Sequence, residues 1–100
     1  MGWDPVREAF SSDDLAAQAR QALENVVAVL RSGGAEPHHL VRLTWYVTDK
    51  AAYLAARKKI GEAYREVVGR HYPAMTLVVV SELLEDRAQV EIKATAVMPD

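Results

Sequence analysis

The sequence predicts an α+β domain in which two amphipathic helices cover one face of a small mixed sheet, in the order α-β-α-β-β. Three observations predict it. Apolar residues recur at helical spacing in two stretches, they alternate strictly in a third, and two β-rich segments close the chain. One hundred residues, half of them apolar and 26% charged, stand near the lower size at which a chain buries a core without disulfides or metal. A single domain over residues 1–100 is therefore expected.

The first helix is written in SSDDLAAQARQALENVVAVLRSGG. Ser12 is its expected N-cap, Asp13 and Asp14 complement the helix dipole, and Leu15, Ala19, Leu23, Val26 and Leu30 share one face before Gly33-Gly34 stops the run. After Pro37, LVRLTWYVT alternates, with Val41, Leu43, Trp45 and Val47 on one side and Arg42, Thr44, Tyr46 and Thr48 on the other. That is a strand with two different faces. Asp49 caps a second helix, AAYLAARKKIGEAYREVV, whose Tyr53, Arg57, Ile60, Tyr64 and Val67 fall on one side and which Gly69 ends. TLVVVSEL and QVEIKATAV follow, joined by the charged turn LEDRA, and are expected to lie side by side as antiparallel strands.

Helices over one face of this sheet would bury Val41, Leu43, Trp45, Val78, Val80, Val90 and Ile92. The opposite face would carry Thr44, Tyr46, Leu77, Val79, Glu91 and Lys93, too apolar to be left in water and too polar for a core. A subunit interface is the economical expectation, because an oligomer covers such a face while tolerating charges along a cleft.

Composition excludes several classes of function. Twelve basic against fourteen acidic side chains, without a run of like charge, give no phosphate-binding stripe, so nucleic acid is not expected as a partner. No cysteine is present, which removes disulfides, thiolate nucleophiles and cysteine metal sites and fits a reducing compartment, with the cytoplasm as the default. The chain carries no pattern of a signal peptide or a membrane span. His38-His39 lacks a third ligand at helical or hairpin spacing and reads as a surface turn, so no metal is expected. Trp3 and Trp45 read as packing residues, and His71 as a polar residue at the mouth of a cleft. There is no Ser-His-Asp order, glycine-rich phosphate loop or spaced carboxylate pair.

The segments DLAAQARQALENV, VRLTWYVTD, YPAMTLVVV and VEIKATAV, in this order and spacing, resemble the RidA (YjgF) family of small enamine and imine deaminases over residues 2–98. The resemblance implies a chorismate-mutase-like fold, a homotrimer with clefts between subunits, and hydrolysis of 2-imino or 2-enamino acids to 2-keto acids and ammonia without metal or cofactor. It also implies that about thirty residues, including the family's first strand, are absent ahead of Gly2-Trp3-Asp4-Pro5. That strand would pair with VEIKATAV, so either residue 1 is a late start or a partner chain covers the edge.

A 2-imino acid presents a carboxylate beside an electrophilic carbon, so its site needs a bidentate cation and a polar group to position water. The resemblance places that cation in a Pro-Ala-Arg motif. Here the motif is Pro73-Ala74-Met75, and the guanidinium is replaced by a thioether. Loss of such an anchor removes on the order of 2 to 5 kcal/mol from recognition of an anion. Leu77, two residues along the same face, and Tyr72 beside the motif make the expected floor apolar. Glu91 matches a carboxylate of the family's Val-Glu-Ile-Glu segment, associated with positioning water, while the second carboxylate is Lys93 here. Lys93, Arg42 and Tyr46 complete the expected cleft, Lys93 or Arg42 as a relocated cation or as solvated charges.

Three readings follow. The first is a RidA-like trimeric small-molecule-cleft protein in which ordinary imine deaminase activity is weak or lost. The second is an active deaminase on a less acidic enamine or imine, with Glu91 holding water over a Met75-Leu77 floor. The third is a protein-interaction or holdase module that uses the apolar sheet face.

Overall fold

The computed structural model describes residues 14–98 together with the backbone of Trp3–Asp4 and Ala9–Phe10. These two pairs are β1 (Trp3–Asp4) and β2 (Ala9–Phe10), an antiparallel ribbon with Trp3 opposite Phe10. Two-residue strands carry no period, and the sequence pattern gave no expectation of them. Ser12 and the Trp3 side chain lie outside the described residues.

Helix α1 (Leu15–Ser32) is capped by Asp14, not Ser12; the Asp14 carboxylate accepts from the Ala16 N–H at 3.3 Å. The acidic side chain next to the first helical residue reaches the free N–H groups of the first turn. The helix buries Leu15, Ala19, Ala22, Leu23 and Val27, and Gly34, at φ +84°, carries the chain out of it. A short 3-10 turn, Pro37–His39, leads into β3 (Leu40–Val47).

Asp49 caps α2 (Lys50–Val67) as expected, its carboxylate accepting from the Ala52 N–H at 3.0 Å. Gly69, at φ +100°, turns the chain into β4 (Ala74–Val79). Because α2 returns the chain to the starting end of β3, β4 lies parallel to β3, a β-α-β unit. The last strand, β5 (Val90–Ala96), pairs antiparallel with the other edge of β3, giving the order β4-β3-β5. The mixed sheet has both helices on one face, with α1 packed against α2 and over β5.

Three expectations are corrected here. The last two strands do not form a hairpin; β3 lies between them, and the connecting segment crosses its end. Gln18 of α1, fully buried, holds this crossing: its amide donates to the Arg87 carbonyl at 2.9 Å and its Oε1 accepts from the Gln89 N–H at 2.8 Å. Val41 is 46% exposed, because a register irregularity between Leu40 and Arg42 turns it outward while Leu40 and Leu43 both face the core. On β4 the two faces are exchanged relative to expectation. The register pairs Met75 with Leu43, Leu77 with Trp45 and Val79 with Val47, so these three share the helix side, whereas Val78 pairs with Tyr46 on the open face. Val80 lies just past the strand end, half-buried. β4 is apolar at both parities, so only the pairing decides which side is which.

Candidate functional site

A groove of about 260 Å³ runs between α2 and β4. Its α2 wall comes from one stripe of that helix, Tyr53, Arg57, Ile60, Gly61, Tyr64 and Arg65, while Tyr72, Met75 and Leu77 supply the opposite wall and Trp45 adds part of its lining. The turn into β4 is fixed at two points. The Tyr64 hydroxyl donates to the His71 carbonyl at 2.6 Å, and His71 Nε2 donates to the Leu40 carbonyl at 2.7 Å. His71 is thus a structural clamp that ties the start of β4 to the start of β3. Tyr72 stacks on Tyr64, with centroids 5.4 Å apart and planes tilted by 17°. Burial, with Tyr72 beside it, pushes the Tyr64 phenol up to about 12, so it remains a proton donor.

The structure divides the seven residues expected to share a cleft. Tyr72, Met75 and Leu77 line the groove on the helix side. Arg42, Tyr46, Glu91 and Lys93 lie on the opposite, open face, where Tyr46 stands across from Glu91 and Thr44 from Lys93. The sheet separates the two groups within one chain. Arg42, Glu91 and Lys93 make no ion pair or side-chain hydrogen bond among the described residues.

The groove contains cations that sequence reading missed. Arg57 and Arg65 of α2 line it beside Met75, and no carboxylate lines it among the described residues. The signal was an arginine inside an otherwise apolar stripe of α2, at position 57. A second unexpected feature is Trp45, whose Nε1 is buried without a hydrogen-bond partner among the described residues. Such a donor costs about 1 to 3 kcal/mol when unmet. The arrangement therefore sets two guanidinium groups beside an aromatic and apolar lining, and among the described residues of one chain no general base lines it.

Elsewhere, charged and polar groups have structural roles. His39 Nδ1 accepts from the Glu36 N–H at 2.9 Å and closes the 3-10 turn, with the His38 ring 4.1 Å away. Arg20 and Glu66 pair across the exposed junction of the two helices. No helix among the described residues is long and apolar enough to cross a membrane.

The fold is a chorismate-mutase-like α+β domain with a groove beside its β-α-β unit. Comparison with known proteins narrows the class. The profile of the family described as Endoribonuclease L-PSP matches residues 1–98, and the chain belongs to this family, that of RidA and YjgF. A RutC family protein of Pyrococcus horikoshii is 33% identical over 93 residues, 93% of this chain and 70% of the relative. A 2-iminobutanoate/2-iminopropanoate deaminase of Salmonella typhimurium is 34% identical over 94 residues, covering 94% and 71%. The crystal structure of Escherichia coli TdcF with bound serine superposes with a TM-score of 0.82 at 30% identity, covering 98% of this chain and 75% of that one. The chain spans 64% to 70% of the length of several curated relatives it matches.

Proposed function

We propose that this protein is a trimeric RidA-type small-molecule-cleft protein with weak activity on short 2-imino acids. The observation that carries the reading is the place of Met75. It lines the groove at the position where the family resemblance expects a carboxylate-binding arginine, so β4 brings a thioether and an apolar neighbour, Leu77, to the site. Relationship to imine deaminases supports the small-molecule class, and TdcF holds a small carboxylate-bearing molecule, serine.

Assembly belongs to the same reading. All six residues of β4 are exposed in the single chain, among them Met75, Leu77, Val78 and Val79. A strand this apolar is suited to contact with another copy. Glu91 keeps a water-positioning role only across a subunit boundary, since within one chain the sheet separates it from Met75. The ribonuclease description of the family is not carried over, because a net charge of -2 without a basic run gives no means of tracking phosphates. The compartment of this reading is the cytoplasm, on the cysteine-free composition.

The test is turnover of freshly generated 2-iminopropanoate, measured beside the Salmonella deaminase. The reading expects kcat/KM lower by at least about thirtyfold, the lower bound for loss of a charge-assisted anchor. Turnover within a few-fold of the relative would contradict it.

A further inference from the structure

Two guanidinium groups share the groove with Met75. Arg57 and Arg65 sit eight residues apart on α2, on the ridge that also carries Gly61 between them. A Cβ built on Gly61 would stand 3.6 Å from Nη1 of Arg65. The Arg65 side chain is therefore laid back along the helix toward Arg57, over a point where glycine leaves the helix surface bare. Glycine at a helix interior costs about 1 kcal/mol relative to alanine, and this one sits in the wall of the groove. Neither arginine makes an ion pair or hydrogen bond among the described residues.

The rest of the groove has a definite chemistry. The rest of its lining is largely aromatic and apolar, with Trp45, Tyr64, Tyr72, Met75 and Leu77. The complement of two cations and flat apolar walls is a molecule with anionic oxygens at one end and a ring at the other. At about 260 Å³ the groove falls just below the span of drug-sized pockets, roughly 300 to 1,000 Å³. The occupant is small.

We infer that the α2–β4 groove binds a small aromatic carboxylate, whose carboxylate is held by Arg57 and Arg65 from the helix in place of a guanidinium from position 75. This rests on the small-molecule reading above and adds the ligand class. It moves the anion anchor from the strand to the helix, so a ligand reaches the cations only if its apolar body fills the space over Met75 and Leu77. Short acids lack that body.

The test is calorimetry on the native oligomer with three matched probes: 3-phenylpropanoate, its neutral amide 3-phenylpropanamide, and propanoate. The inference expects 3-phenylpropanoate to bind at least tenfold more tightly than either of the others. Arg57→Gln and Arg65→Gln should each weaken it about tenfold, and Arg57→Lys should recover part of the loss. Both arginines are exposed on the helix, and circular dichroism checks that the variants fold. Failure of the wild type to bind 3-phenylpropanoate, equal binding of acid and amide, or unchanged affinity in the Arg57→Gln/Arg65→Gln double variant would each overturn the inference. None of these results touches the reading of weak imine turnover, which stands or falls on the 2-iminopropanoate assay.

Discussion

At the scale of single residues, Met75 illustrates how far a sequence can be read. Its neighbourhood with Leu77 was legible from the motif, because residues two apart on a strand share a face, and Tyr72 stands in the turn just ahead of that strand. Its opposite wall was not, since that wall comes from α2 and depends on packing between elements. Arg57 was visible as a charged residue in an apolar stripe, but nothing local distinguishes a groove-lining arginine from one whose aliphatic stem covers a core. If Met75 is a wall and not a chemical group, Met75→Leu, nearly volume-conserving and 43% exposed in one chain, should shift stability by less than about 1.5 kcal/mol. Urea titration measures this. Tyr64 makes a second prediction. Its phenol is raised to about 12 in the folded protein against 10.0 for the free group, so the unfolded chain loses this proton first as pH rises. The contribution is complete below pH 10 and is lost between pH 10 and about 12. Tyr64→Phe should remove that alkaline slope and, through loss of the bond to the His71 carbonyl, cost about 1 kcal/mol at neutral pH.

At the scale of elements, both helices and the central strand were legible because each has a clear period, and the helices have a stop signal at a glycine. The pairing of strands was not. Closeness in sequence suggested a hairpin between β4 and β5, yet the parallel β3–β4 pair is formed through α2, and the segment after β4 then passes the end of β3. What fastens that passage is a polar residue on the buried side of α1, where an apolar residue would ordinarily be expected. Gln18→Leu keeps the bulk but leaves the Arg87 carbonyl and the Gln89 N–H without these partners. The expected loss is about 2 to 4 kcal/mol, with faster amide exchange at Gln89. A loss under 0.5 kcal/mol would show that the crossing holds itself.

At the scale of the whole molecule, β4 is exposed along its length in one chain, and Arg42, Tyr46, Glu91 and Lys93 share a mixed open face, surfaces that the proposed trimer would cover. The sequence placed Leu77 and Val79 on the wrong side of this sheet, because an apolar strand at both parities leaves its orientation to the pairing. Light scattering at micromolar concentration should give three times the 11.1 kDa chain mass. A monomer would remove the subunit boundary on which any role for Glu91 depends. On the proposed function, the thioether at position 75 is what separates this chain from an ordinary imine deaminase. The most direct measurement compares kcat/KM for 2-iminopropanoate between the wild type and Met75→Arg, each verified as the folded native oligomer. A gain of at least tenfold in the variant is the predicted result; unchanged or lower kcat/KM would contradict the claim.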